Sequence, residues 1–131
     1  MILLDTSVWI DLIRNPAGMV EVRRRFLEFA TCGPILQEIL QGLADSPRKN
    51  DLKEALLAMP RLNEPLPIES FLSAAEIYAE GRKRGYTIRS GYDCLIAAIA
   101  IEHDIAVWHR DRDFTSIAKY TRLKVFSEPV H

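Results

Sequence analysis

The segment Ile2-Leu3-Leu4-Asp5-Thr6-Ser7 decides the fold prediction. Its three consecutive apolar residues predict a short strand that is buried on both faces, as the central strand of a parallel sheet is when helices cover both sides. Asp5 then stands at the carboxyl end of that strand. Ligands and catalytic groups collect at this edge of an open α/β sheet, although Asp5 could equally cap the helix that follows.

Helices and strands alternate along the rest of the chain. The spacing of apolar residues predicts helices over 7–13, 19–29, 34–43, 70–84, 90–103 and 113–120, and another through 52–56 that ends at Pro60. Short strands are expected at 30–32, 105–109 and 123–126, and the proline-containing segment 63–67 can hold at most a short edge strand. The pattern is typical of a three-layer α/β/α domain with a central, mainly parallel sheet, and we expect residues 1–131 to form one such domain.

The composition is that of an ordinary globular chain, with 48% hydrophobic residues and a net charge of −1. It provides no global basic field for nucleic acid, although a basic rim or a bound metal could supply positive charge locally. Cys32 and Cys94 lie far apart, which favours reduced thiols and a cytoplasmic location. We recognise no signal peptide, and the longest apolar stretch, residues 94–101, is too short to cross a bilayer.

Four further acids lie where the predicted elements can bring them to Asp5: Glu38, Asp93, Asp111 and Asp113. Glu38 has no basic neighbour one helical turn away, and Asp93 opens a helix that is apolar all round. Each acid also has a structural explanation. Glu38 could be an ordinary exposed side chain, Asp93 could form a capping box with Ser90, and Asp113, more readily than Asp111, could cap the last helix.

Several carboxylates at one sheet edge repel one another and therefore call for a cation. Oxygen ligands without histidine or cysteine favour Mg²⁺ or Mn²⁺. Thr6 and Ser7 add hydroxyls beside Asp5. His103 and His109 have no histidine or cysteine partner at ligand spacing, so the pattern does not predict zinc.

Four segments, in this order and spacing, resemble the motifs of the PIN domain: residues 2–7, 34–38, 92–98 and 109–114. The chain length and the absence of an appended domain resemble, more narrowly, the VapC-type toxins of bacterial and archaeal toxin–antitoxin pairs. The resemblance covers nearly the whole chain.

This resemblance implies a Mg²⁺- or Mn²⁺-dependent endoribonuclease that cleaves RNA with water as the nucleophile. The acids that it implies are Asp5, Glu38, Asp93 and Asp111, with Asp113 as an additional or water-mediated metal ligand. Thr6 or Ser7 matches the hydroxyl position next to the first acid. His109 departs from the pattern, because the family often has Thr or Ser there.

The resemblance also implies partners. A type II toxin would be inhibited by a cognate VapB-type antitoxin that lies over the helices near the site, and homodimers and hetero-oligomers with the antitoxin would be expected. The acidic site needs basic residues to guide RNA, and the candidates are Arg89, Arg110 and Arg112, with Arg82, Lys83 and Arg84. Each of these could equally be a solvated or ion-paired side chain.

Two other functions remain open at this point. A metal-dependent phosphatase of the haloacid dehalogenase type would use Asp5 as a covalent nucleophile, but that class has a second Asp two residues later, where this chain has Ser7. A PIN-like module could also bind RNA or protein without activity. Such a module has no physical reason to keep four crowded acids.

Overall fold

Five strands form one parallel sheet in the computed structural model, which describes residues 1–126. They are β1 (Ile2–Leu4), β2 (Phe29–Cys32), β3 (Arg61–Leu62), β4 (Ala106–Trp108) and β5 (Lys124–Val125). Their order across the sheet is β3-β2-β1-β4-β5, and neighbouring strands run parallel in each pair. The predicted α/β/α fold with a parallel sheet is therefore confirmed.

The connections between the strands are helical. The helices of the described residues are α1 (Thr6–Arg14), α2 (Pro16–Arg24), α3 (Gly33–Gly42), α4 (Lys49–Ala58), α5 (Ile68–Lys83), α6 (Gly91–Glu102) and α7 (Arg112–Ala118), with a short 3₁₀ turn at Phe26–Glu28. None of them is both long and apolar enough to cross a membrane. The prediction that residues 1–131 form one domain extends to residues 127–131, which lie outside the described residues, and it stays a prediction.

The core forms around β1 and α6. Leu3 and Leu4 of β1 are completely buried, as the apolar run predicts for a central strand. Most residues of α6 are buried as well, because small and aliphatic side chains surround the whole helix. Cys32 and Cys94 are free and buried, and burial raises the pKa of each thiol to about 11.

One predicted helix is wrong in its bounds. The helix expected over 19–29 ends at Arg24, and Phe29 begins β2, where it pairs with Ile2 of β1. The three-residue spacing of Phe26 and Phe29 fits a helix, but the burial of residues 29–32 in the sheet decides the conformation. The edge strand β3 precedes the segment 63–67, whose prolines cannot donate to the ladder.

The order of connections reverses between β1 and β4. The chain leaves β1 toward β2 on one side, and it leaves β4 toward β5 on the other. The carboxyl ends of the two strands are joined by a 3.0 Å hydrogen bond from the Asp5 backbone N–H to the Trp108 carbonyl. Such a reversal opens a crevice between the departing loops, and Asp5 lies at its base.

Candidate active site

Three carboxylates meet at the carboxyl end of β4. Asp93, Asp111 and Asp113 each offer an oxygen, and these oxygens lie within 4.8 Å of one another. Asp93 is in the first turn of α6, whereas Asp111 caps α7 and Asp113 is in its first turn. Asp93 and Asp113 are 4% and 3% exposed, so the carboxylates meet away from bulk water.

Asp5 has two roles in the structure. Its Oδ2 accepts hydrogen bonds from the Ser7 backbone N–H at 3.2 Å and from the Ser7 hydroxyl at 2.6 Å, so Asp5 does cap α1. Its Oδ1 is buried and has no hydrogen-bond partner among the described residues. The cap occupies only one oxygen and leaves the other available to a ligand.

Asp93 does not form the capping box with Ser90 that its spacing allows. Ser90 precedes α6 without a side-chain cap bond, and Asp93 Oδ2 is buried without a partner within residues 1–126. Burial raises the pKa of Asp93 to about 9, and the nearby charges of Asp111 and Asp5 add to this rise. Burial also raises the pKa of Asp5. Unpaired buried carboxylates are costly, and a divalent cation bound at the cluster would satisfy Asp93 Oδ2. Asp5 lies outside the group of oxygens within 4.8 Å of one another, but its charge acts on Asp93. The residues present therefore fit a metal ion.

Asp111 and Asp113 have contacts that differ from the expected ones. Asp111, and not Asp113, caps α7, because its Oδ1 accepts the Asp113 backbone N–H at 3.0 Å. Asp113 Oδ2 accepts the backbone N–H groups of Arg89 at 3.0 Å and Ser90 at 3.1 Å. Asp113 thus holds the segment that leads into α6, and so positions Asp93.

Glu38 lies apart from these three acids. It is exposed on α3 and does not belong to the group of oxygens within 4.8 Å. Partial burial and the charge of Asp5 raise its pKa, while hydrogen bonds from the hydroxyls of Thr6 and Tyr92 lower the pKa. Glu38 lines one surface pocket together with Thr6 and another together with Tyr92, so it lies at the rim of the same crevice.

Tyr92 is a residue that the sequence analysis did not select. Its hydroxyl lies 3.3 Å from the Thr6 hydroxyl, and burial raises its pKa, so it stays protonated and can donate. The available signal was its position directly before Asp93. Sequence spacing alone does not show that it also reaches Thr6 and Glu38.

Of the basic candidates for RNA binding, Arg110 is paired with an acid, whereas Arg89 and Arg112 are exposed. Arg110 forms an exposed ion pair with Asp11 at 3.2 Å, and its backbone N–H donates to the Ser7 hydroxyl at 3.0 Å. Arg89 and Arg112 are exposed at the starts of α6 and α7. Burial lowers the pKa of His109, whose ring lies 5.1 Å from that of Phe114. Because the Ser7 hydroxyl bonds both Asp5 and the Arg110 backbone N–H, Ser7 joins Asp5 to the loop after β4.

Comparison with known proteins agrees with this architecture. The family model for the PIN domain matches residues 2–120. The chain is 43% identical over 133 residues to VapC ribonuclease Mb1587 of Mycobacterium bovis and to Ribonuclease VapC11 of Mycobacterium tuberculosis, and in each case 97% of this chain and 98% of the relative are covered.

Solved structures share the fold. FitAcB from Neisseria gonorrhoeae has a TM-score of 0.70 and 26% identity, covering 97% of each chain. VapBC-1 from nontypeable Haemophilus influenzae has a TM-score of 0.71 and 21% identity, covering 96% of this chain and 97% of the other. Since the family model spans most of the sequence and the relatives match nearly all of it, the protein belongs to the PIN domain family and, within it, to the VapC group.

Proposed function

We propose that the protein is a metal-dependent endoribonuclease toxin of a type II toxin–antitoxin pair, which hydrolyses RNA phosphodiester bonds. The observation that carries this proposal is the buried, unpartnered Asp93 Oδ2 in the cluster of Asp93, Asp111 and Asp113, with a second unpartnered oxygen, Asp5 Oδ1, at the end of the neighbouring strand β1. The relatives at 43% identity are named ribonucleases, which supports RNA as the substrate.

Asp5, Asp93, Asp111 and Asp113 would hold the ion, with Glu38 at the rim. Carboxylate oxygens favour Mg²⁺ or Mn²⁺. When bound, such an ion supplies positive charge for the phosphate and makes water more acidic. The protein's own groups keep the acids in place: Ser7 orients Asp5, and Asp113 holds the segment before Asp93. The hydroxyls of Thr6 and Tyr92 favour the charged form of Glu38, because they lower its pKa.

The test uses protein purified free of any partner and end-labelled single-stranded RNA. We expect cleavage with Mg²⁺ or Mn²⁺, no cleavage with a chelator, and products that carry a 5′-phosphate and a 3′-hydroxyl. Asp5→Asn and Asp93→Asn should abolish cleavage, while the matched exposed variant Asp45→Asn should cut like wild type. Circular dichroism confirms that each variant is folded. Metal-independent cleavage, or a 2′,3′-cyclic phosphate end, would contradict the proposal.

The alternative functions predict other results. Asp5 is 4% exposed and its Oδ2 is bonded to Ser7, which disfavours a phosphatase with Asp5 as nucleophile. We therefore expect no hydrolysis of an aryl phosphate. A module without activity would bind RNA and leave it intact at every metal concentration.

An antitoxin partner is supported by an apolar cleft between α1, α2 and α4. The cleft has a volume of about 440 Å³. It is lined by Trp9, Ile13, Val20, Val22, Arg23, Phe26, Arg48, Asp51, Leu52, Ala55 and Met59. Several solved neighbours are described as VapBC complexes or as a toxin–antitoxin complex. We propose that the cognate VapB-type antitoxin places an apolar segment in this cleft.

We also propose a homodimer, through the exposed apolar face of α5. Ile68, Phe71 and Leu72 on this helix are 65%, 48% and 59% exposed. The buried side of α5 is formed by Ser70, Ala74 and Gly81, and the three exposed side chains lie on another face of the helix. A second copy of the chain would cover these side chains.

The cytoplasmic location stays a prediction.

A further inference from the structure

Residues 82–89 read Arg-Lys-Arg-Gly-Tyr-Thr-Ile-Arg, four cations without an acid in a chain whose net charge is −1. The segment covers the end of α5 and the loop toward α6. Such a local concentration of positive charge sets up a field that the overall composition does not reveal.

Most of this charge is not neutralised. Arg84 pairs with Glu80 at 2.7 Å. Arg82, Lys83 and Arg89 are exposed, and none of them forms an ion pair within the part of the chain that the structure describes. By contrast, Arg24, Arg61, Arg110 and Lys124 are each paired with an acid.

The segment is held in place by the rest of the fold. Gly85 adopts a φ of 84°, which turns the chain after α5, and the Tyr86 backbone N–H donates to the Gly81 carbonyl at 2.8 Å. The Tyr86 ring stacks on Tyr120 with centroids 5.4 Å apart, and Lys119, the residue directly after α7, lies 5.9 Å from the Tyr86 ring centre. Lys119 therefore adds a fourth unpaired cation beside the segment.

This surface continues directly into the candidate active site. The backbone N–H groups of Arg89 and Ser90 donate to Asp113, one of the clustered carboxylates. A polyanion that reaches the cluster from this side meets the cations first, and these offset the repulsion from the acids.

The aromatic rings beside the cations decide what the surface can bind. A cleft of about 350 Å³ is lined by Tyr78, Arg82, Tyr86 and their neighbours. Arg82 lies 5.9 Å from the Tyr78 ring centre, and Tyr86 is in contact with both Lys119 and the stacked ring of Tyr120. Because cations and a neighbouring ring already cover these two tyrosines, the surface suits phosphates better than stacked bases.

We propose that Arg82, Lys83, Arg89 and Lys119 form a phosphate-binding surface, which holds the backbone of the RNA strand flanking the bond that is cut. The inference rests on the proposed function and deepens it. Backbone contacts position a strand without reading its sequence, so this surface contributes affinity and not the choice of cleavage site.

The test compares Arg82→Gln/Lys83→Gln with the control Lys49→Gln/Lys53→Gln, which removes the same charge from α4. Steady-state cleavage of two unrelated single-stranded RNAs is measured over a range of KCl concentrations. We expect KM to rise about tenfold for both RNAs with kcat and cleavage positions unchanged, and the slope of log(kcat/KM) against log[KCl] to become shallower by about 0.7 per lost contact. Lys119→Gln should act in the same direction, and the control pair should behave like wild type.

Equal KM values and salt slopes in the two double variants would overturn the inference, as would a change of cleavage position in Arg82→Gln/Lys83→Gln. If the wild type cut no RNA at all, the proposed function itself would fail. The surface is then tested by fluorescence anisotropy with the same RNAs, where binding equal to that of the control pair overturns it and weaker, less salt-dependent binding supports it.

Discussion

The Asp113 carboxylate accepts a 3.1 Å hydrogen bond from the backbone N–H of Ser90, which joins the first turn of α7 to the residue before α6. The Arg89 N–H donates to the same oxygen at 3.0 Å. Two elements that carry Asp111 and Asp93 are thereby held together by a third acid of the cluster.

Asp113→Ala should destabilise the protein, since it leaves two backbone donors without their charged acceptor. We expect a loss of about 2–4 kcal/mol in the free energy of unfolding, and less than half of that for Asp113→Asn, which keeps an acceptor of the same size. Urea unfolding measures both. Equal stability of the two variants would show that the bonds to Arg89 and Ser90 contribute little. Mn²⁺ titration should give weaker binding in each variant.

Tyr92→Phe removes one hydroxyl and keeps the ring. Because that hydroxyl contacts Thr6 and helps to hold Glu38, we expect metal affinity or kcat to fall by about tenfold or more, the range found when groups that orient metal ligands are lost. Mn²⁺ titration and RNA cleavage measure the two quantities. Tyr78→Phe is the matched control, and an equal loss there would point to a general packing effect.

The stability of the metal-free protein should depend on pH through Asp93. Burial raises the pKa of Asp93 from its ordinary value of 3.8 to about 9. Between these values the folded protein keeps a proton that the unfolded chain releases, so the free energy of unfolding should fall as the pH rises through this window. Asp5 acts in the same direction, because burial raises its pKa too.

Urea unfolding in the presence of a chelator, at several pH values from about 5 to 9, measures this dependence. Asp93→Asn should flatten it. Saturating Mn²⁺ should reverse part of it, since the ion binds the deprotonated carboxylate. Stability that increased with pH in the metal-free wild type would contradict the assignment of a buried, unpaired Asp93.

Val20→Glu should weaken antitoxin binding without unfolding the chain. Val20 lines the apolar cleft and is 64% exposed, so a charge there costs little in the free protein but is buried in the complex. Leu27→Glu is the matched control, because Leu27 is 84% exposed and does not line the cleft. Titration calorimetry with the cognate antitoxin should give a Kd that is raised at least tenfold for Val20→Glu and unchanged for Leu27→Glu. A tenfold rise in Kd corresponds to a loss of about 1.4 kcal/mol of binding free energy.

Leu72→Glu should convert the proposed homodimer to a monomer, because it places a charge on the apolar face of α5. Leu57→Glu on α4 is the control, since Leu57 is also a half-exposed leucine, at 46%. Light scattering coupled to size exclusion measures the mass of both. A dimer that persists in Leu72→Glu would place the subunit interface elsewhere.

The local pattern of apolar and polar residues determined those helices and strands whose conformation depends only on their own sequence. The apolar run before Asp5 predicts β1, and the apolar residues on every side of α6 predict a buried helix. Neither segment has a polar face that could be turned toward water. The acids at strand and helix ends could be named for the same reason. The start of β2 at Phe29 could not be predicted, since the spacing between Phe26 and Phe29 fits a helix.

Tertiary structure decided how the acids are held. The pairs Asp113 with Arg89, Thr6 with Tyr92, and Ser7 with Arg110 are separated by 24, 86 and 103 residues. No local periodicity reports such contacts, because they depend on which loops the sheet order brings to one edge. The sequence by itself therefore determined that an acid follows the central strand, and only the packing of β1 against β4 decided which side chains surround it.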